Sequence, residues 1–248
     1  MGVIAAGYGA VCYAISLAAF LYGMGFVGNV AVPKTIDSGA GGSALEALAV
    51  DLALLGLFAV QHSVMARPGF KRAWTRLVPE SVERSTYVLL SSMVLALLFW
   101  QWRPIGGTLW NVTDPAGRIA VQAAYWLGWL VVLASTFMIS HFDLFGLRQV
   151  WLRLRNTPYT HVPFRTVALY RFVRHPIMLG FLIAFWAAPR MSAGHFVFSI
   201  ATTAYIFIGM FLEERDLARA HGAQFEAYRD EVPLILPYKA GKSLRRQV

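Results

Sequence analysis

MGVIAAGYGAVCYAISLAAFLYGMGFVGNVAVPK, residues 1–34, carries no charged side chain before Lys34. Such a run exceeds the roughly 20 apolar residues that cross the hydrocarbon core of a bilayer. It has no basic n-region, and its apolar length outruns the roughly 7–15 residues of a signal-peptide core, so it reads as a retained span. The same texture recurs outward along the chain at Leu52–Val60, Tyr87–Trp100, Ile119–Ile139, Ile177–Ala188 and Phe196–Leu212. Hydrophobic residues make up 57% of the 248, and charged residues 14%, against about 25% charged in soluble domains. The pattern predicts an all-α, polytopic integral membrane bundle. Four spans are expected at 5–31, 44–65, 86–102 and 119–140, followed by a C-terminal helical hairpin and a cytoplasmic C-terminal cap. The first hairpin arm, 177–188, is too short to cross unaided and is expected to be tilted or buried by neighbours before Pro189–Gly194 breaks it.

The net charge of +9 could suggest nucleic acid, but its placement argues for a lipid bilayer as the partner instead. Segments 66–85, 141–176 and 213–248 hold five, six and seven Lys and Arg; segments 33–43, 101–118 and 189–194 hold one, two and one. The resulting 18 against 4 on alternating sides is the positive-inside asymmetry, which puts both termini and the two basic loops in the cytoplasm. The lone Cys12 can form no internal disulfide and no thiolate cluster. Histidines 62, 141, 161, 175, 195 and 221 are scattered, with no HExxH, so no metal is expected. No GxGxxG loop supports a Rossmann domain. The chain reads as a single membrane domain, 1–248, with a four-span part at 1–140 and a C-terminal part at 141–248.

In that C-terminal part, Leu217, His221, Gln224, Phe225 and Tyr228 recur three or four apart, predicting one helix over 213–228. Val232-Pro233 ends it, and the VPLILP run at 232–237 is expected to fold back over the membrane face. The stretch YRFVRHPIMLG, 170–180, needs more explanation. A positive-inside flank accounts for Arg171 and Arg174, but it does not ask for His175-Pro176.

Tyr170, Val173, Arg174, His175, Pro176 and Gly180, followed by Glu213, Glu214, Leu217, Tyr228, Val232, Pro233 and Pro237, form a pattern. It resembles the isoprenylcysteine carboxyl methyltransferase superfamily over roughly 165–237. The resemblance implies an integral membrane methyltransferase that binds S-adenosyl-L-methionine with its C-terminal portion. Met178 departs from it, standing where relatives often carry tyrosine. FAVQHSVMAR, 58–67, and SHFDLFGLRQVW, 140–151, resemble the bacterial membrane-bound methanethiol S-methyltransferases, which make dimethyl sulfide. A weaker likeness is to NnrU-like proteins of nitrogen-oxide metabolism. The resemblance implies a multi-pass protein of the bacterial cytoplasmic membrane.

The donor's chemistry then assigns expected roles. Its carboxylate wants a cation, from Arg174 or His175; its ammonium and ribose hydroxyls want acceptors, from Glu213 or Glu214. Phe225, Tyr228 and the 232–237 run offer an apolar slot for adenine. Tyr170, Pro176, Met178 and Gly180 complete the cofactor-binding set. Glu213 and Glu214 also read as the start of a solvated helix. For a small-molecule thiol acceptor, His141 and Asp143 are the candidate proton acceptors, and they read equally as a polar pair capping span four. His62, Arg148 and Gln149 are candidates for the substrate pocket. A hydrogen bond between helices is the alternative for His62, and an interfacial amphipathic helix is the alternative for Arg148. Asp51 lies about 20° from His62 around a helix and reads as a tie between spans. The leading expectation is S-adenosyl-L-methionine-dependent methylation of methanethiol. The alternatives are methylation of an isoprenylcysteine carboxylate or a phospholipid amine, or a non-enzymatic NnrU-like membrane protein.

Overall fold

The computed structural model describes residues 2–39 and 42–236; Pro237, the last residue of the motif, lies outside them. Helix α1, Gly2–Gly28, follows the uncharged run. It stops before the expected residue 31 because Asn29 and Ala31 adopt φ of 54° and 60°. The chain turns back on itself, with Val30 N–H donating to Gly25 O and Ile36 N–H to Phe26 O, both at 3.0 Å. Ile36 is fully buried, and its carbonyl accepts from Trp102 Nε1 at 3.1 Å. Ile36 thus anchors this irregular stretch to the bundle, while Asn29, Val30 and Ala31 beside it are exposed.

Helix α2, Ala44–Ala66, is capped by Ser43, and Pro68 opens the short α3, Pro68–Trp74. Helix α4, Glu80–Gln101, begins six residues before the expected 86 and takes Glu80, Glu83 and Arg84 into its first turns. Strand β1, Thr108–Asn111, precedes α5, Pro115–Ile139, which Asp114 caps and Pro115 starts. The cap-side elements α6, His141–Leu144, and α7, Leu147–Leu154, follow, then a 3-10 turn at Ala168–Arg171. Helix α8, Pro176–Trp186, strand β2, Arg190–Ser192, helix α9, Ala193–His221, and helix α10, Ala223–Glu231, complete the described chain. Helices α1, α2, α4, α5 and α9 are each long and apolar enough to cross a membrane. The chain is a polytopic helical membrane protein.

The eleven-residue α8 extends about 16 Å at 1.5 Å per residue. Its far end is placed by a feature the sequence did not announce: β2 pairs antiparallel with β1, in the loop joining α4 to α5. Val112 N–H donates to Pro189 O at 2.8 Å, and Trp110 Nε1 to Ala188 O at 3.0 Å. The short arm therefore reaches the face opposite the cap, with extended residues making up the missing length at about 3.3 Å each.

One expectation is corrected. The helix expected over 213–228 is two helices, because α9 runs unbroken through Glu213 and Glu214 to His221. Gly222 then takes φ 52° and ψ −129°, a conformation that side chains other than glycine's resist, and α10 leaves on a new axis. Gly180 faces α5: a Cβ there would lie 2.6 Å from Gly128 O and 2.8 Å from Val132 N. It is a close-packing residue at a helix crossing.

The core is joined at one end and divided at the other. Away from the cap, Phe26, Leu54, Leu98, Trp129, Ala184 and Phe198 bring α1, α2, α4, α5, α8 and α9 into one cluster. Toward the cap, packing separates into Met65, Tyr87 and Val88 on one side and Ile206, Met210 and Ile235 on the other. The candidate residues lie at this divided end.

Candidate functional site

His175 precedes proline and accordingly lies outside the α region, with φ −125° and ψ 65°. Pro176 opens α8 at a position where a missing N–H costs nothing. The backbone here pairs with the 232–236 segment: Arg174 N–H donates to Pro233 O at 2.9 Å and His175 N–H to Leu234 O at 3.2 Å. Ile235 sinks against Ile206, Met210 and Met178. The described part of the VPLILP run thus folds back as expected, and Met178 packs beneath it.

Arg174 Nε donates to Glu214 Oε1 at 2.6 Å. Its Nη1 donates to Arg229 O at 2.9 Å and to Val232 O. The buried His175 sits between the two glutamates, Nε2 at 3.2 Å from Glu214 and Nδ1 at 3.6 Å from Glu213. Adjacent helical residues diverge by about 100°; even so, both carboxylates reach one imidazole. Glu214 is largely covered, whereas Glu213 is 48% exposed. The corner is therefore not the cationic mouth that the sequence suggests. Arg174 is spent on Glu214 and on clasping α10, which leaves an acceptor-rich face.

Aromatic rings back this corner. Tyr228 Oη donates to Tyr170 O at 2.7 Å, and Phe164 packs on Phe225 and Tyr228 with ring centroids 6.2 and 5.4 Å away. Burial pushes the Tyr228 phenol up to about 12, with the Arg174 charge opposing and the Glu214 charge assisting. Burial, then Glu213, also raises Tyr170. Phe225 is fully buried and serves the wall of the corner from behind.

His141 and Asp143 do not form a pair. Both lie on the single turn α6, where residues two apart point about 200° apart. His141 is buried, stacked 4.2 Å from the Phe137 ring. Its Nε2 lies 2.9 Å from Tyr13 Oη and its Nδ1 2.8 Å from Thr136 Oγ1. Burial holds its pKa below the usual histidine range. It borders a cavity of about 20 Å³ with Tyr13, Leu17, Phe20, Leu133, Thr136 and Phe145. A water needs roughly 10–15 Å³ on this measure, so the space suits one or two non-hydrogen atoms.

Asp143 points the other way, into an open polar basin of about 830 Å³ between the α3–α4 junction and segment 141–161. Its Oδ1 accepts from Arg148 at 3.0 Å and its Oδ2 from Tyr159 Oη at 3.3 Å. Burial and the Asp143 charge raise the Tyr159 phenol. Arg148 is further held by Thr160 O at 2.6 Å and Thr160 Oγ1 at 2.8 Å. Gln149 Nε2 donates to Asp143 O at 3.2 Å, and Gln149 lines the same basin. Val150 buries the inner face of α7 against Gly9 of α1. His62 lies apart from both spaces, on α2, with Tyr87 Oη at 2.9 Å and Ser91 Oγ at 3.2 Å, tying α2 to α4. Asp51 is fully buried and accepts from the Arg103 backbone N–H at 2.9 Å.

Residues 52–230 match the family described as NnrU protein. The chain belongs to the NnrU protein family. It is 58% identical over 231 residues to a protein of Mycobacterium tuberculosis called methanethiol S-methyltransferase, covering 93% of this chain and 95% of that one. It is 50% identical over 236 residues to the methanethiol S-methyltransferase of Crocosphaera subtropica, covering 95% and 92%. Nurim of Mus musculus is 30% identical over 183 residues, covering 71% and 70%. No solved structure matches the chain.

Two likenesses that the sequence offered as alternatives, NnrU and methanethiol S-methyltransferase, thus meet in one chain. In this NnrU-family protein, sequence reading missed Tyr13 and Thr136 beside His141, Tyr159 beside Asp143 and Phe164 behind Tyr228. Tyr13 is 128 residues from His141 and is one aromatic among many in an apolar run, so no local signal marks it. A bridge between Arg67 and Asp216 at 2.7 Å, joining α2 to α9, was equally invisible.

Proposed function

We propose that this chain methylates methanethiol to dimethyl sulfide, with S-adenosyl-L-methionine as donor, at the cytoplasmic end of a bacterial inner-membrane bundle. The observation that carries the reading is the likeness over more than nine-tenths of both chains to a protein called methanethiol S-methyltransferase. The site geometry supports it. A cavity of about 20 Å³ walled by apolar side chains admits a two-atom thiol and has no room for a prenyl chain.

The residues at the 174–214 corner fit the donor. An exposed Glu213 carboxylate and the covered Glu214 are acceptors for an ammonium and for ribose hydroxyls, and His175 holds Glu214 with a hydrogen bond and lies beside Glu213. Tyr170, Tyr228 and Phe164 supply an aromatic wall. When bound, the donor supplies an electrophilic methyl group on a sulfonium. The chain's own residues bind it, exclude water and take up the thiol's proton, for which His141, neutral and buried, is the acceptor. Asp143, engaged with Arg148 and Tyr159, lies outside this role. The corner and the cavity share one depth. Thr136 lies one turn capward of Val132 on α5 and Pro176 one turn capward of Gly180 on α8, and Val132 and Gly180 touch.

The test is headspace gas chromatography of purified protein in detergent with methanethiol and S-adenosyl-L-methionine. Dimethyl sulfide that depends on both substrates is expected. None from folded protein that binds S-adenosylhomocysteine would overturn the thiol assignment.

A further inference from the structure

We propose that the polar basin between α3, the start of α4 and α7 seats the phosphate headgroup of an anionic phospholipid. The proposal is independent of the thiol reaction. It begins with unpaired charge. Lys71 and Arg72 of α3 and Arg153 of α7 line the basin. Among the described residues, no ion pair uses any of the three. The basin's own carboxylates do not balance them. Asp143 is held by Arg148 and Tyr159, which leaves Glu80 and Glu83 against Lys71, Arg72, Arg84 and Arg153. Lys71 is half-buried. Burial, then the Arg84 charge, holds its ammonium below the usual lysine range, with Glu83 opposing. An anion seated beside it would ease both.

Depth selects the source of that anion. Arg84 stands 17 residues from Gln101 along α4, about 26 Å at 1.5 Å per residue. On α1, Val150 of α7 packs against Gly9, which is 19 residues, about 28 Å, from Gly28. Both distances match a hydrocarbon core of about 30 Å, so the basin lies at headgroup level. Exposed tryptophans mark the two interfaces, Trp100 near the far end of α4 and Trp151 on α7. Leu77, 81% exposed, lies in the chain between Thr75 and Pro79 of the basin wall, and Trp151 lies beside Leu152 of the opposite wall. Acyl chains would cover these two side chains, and a free phosphate would not. The excess of cations favours a head with net negative charge, such as phosphatidylglycerol. Phosphatidylcholine brings a quaternary ammonium to the same cations and loses that advantage.

The test is native mass spectrometry of the full chain in detergent, titrated with phosphatidylglycerol, phosphatidylcholine or inorganic phosphate. Phosphatidylglycerol is expected to bind at least about tenfold more tightly than phosphatidylcholine, and millimolar inorganic phosphate should not displace it. Each basic residue near an anionic headgroup contributes roughly fivefold in affinity. Lys71→Gln with Arg153→Gln should therefore weaken phosphatidylglycerol binding about 25-fold, while Arg165→Gln, a cap charge outside the basin, should leave it unchanged. Equal affinity for the two lipids overturns the proposal, as does a double variant that binds like the wild type. Displacement by inorganic phosphate would make this a site for a soluble anion and overturn the lipid assignment. An equal loss in Arg165→Gln would show diffuse charge instead of a seat in the basin. If the double variant does not fold, Arg72→Gln with Arg153→Gln, both exposed positions, decides by the same criteria.

Discussion

At His175 a buried imidazole meets two carboxylates, 3.2 and 3.6 Å away, and only one of them is spoken for by an arginine. Removing either the imidazole or Glu213 deletes a charge-assisted contact worth about 1.5–3 kcal/mol. His175→Ala and Glu213→Ala are each expected to weaken S-adenosylhomocysteine binding about ten- to a hundredfold, read by calorimetric titration. Unchanged affinity in both would remove the corner from the donor site. His141 offers a different readout. Burial holds its folded pKa below the ordinary histidine value of about 6.5. Below about pH 6.5 the unfolded chain takes up a proton that the folded one refuses. Stability is therefore expected to fall as pH drops through that window and to be independent of this group above it. In thermal unfolding in detergent from pH 7.5 to 5, His141→Gln should show the shallower slope. Equal slopes would mean that this imidazole's burial is not felt.

Among the elements, two backbone contacts set the frame. Gly128 of α5 and Gly180 of α8 approach so closely that a Cβ on either meets the other's carbonyl oxygen at 2.7 or 2.6 Å. Backbone cannot step aside as a side chain can. Gly180→Val is expected to part the two helices and cost about 1–3 kcal/mol or more, as overpacking does, lowering the unfolding midpoint in detergent. At the hinge between α9 and α10 the constraint is torsional instead. Nothing lies within 4 Å of a Cβ on Gly222, yet its φ is 52°. Gly222→Ala should cost about 1–3 kcal/mol of local strain. It should also favour a continuous helix that carries Phe225 and Tyr228 off the corner. Protection of residues 222–231 from hydrogen exchange would reveal it: unaltered exchange in the variant would show that the hinge tolerates a side chain.

Over the whole molecule, charge orients what packing assembles. With 18 Lys and Arg on one side and 4 on the other, the cap face is expected in the cytoplasm. A fluorescent protein fused after Val248 should light up, and alkaline phosphatase fused there should stay inactive. Phosphatase inserted at Gly106-Gly107, in the loop leading to β1, should be active. The reverse pattern would invert the topology and place the 174–214 corner away from the cytoplasm.

The sequence by itself determined that this is a helical membrane protein, where its long spans run and that residues 170–180 and 213–236 belong together. The spans are local features, set by hydrophobic length, charge next to a span, and proline and glycine at ends; that the two stretches belong together is what the family resemblance implies. The tertiary structure alone decided what those residues face. It turned an apparent cationic mouth into an acceptor-rich corner, because Arg174 is captured by Glu214 from a helix 40 residues away. It separated His141 from Asp143, because a single turn of helix aims neighbours two apart at opposite sides. It carried the short α8 across by pairing β2 with β1, and it brought Tyr13 to His141 from the other end of the chain. Contacts across such separations have no periodicity along the chain, and only packing in three dimensions selects them.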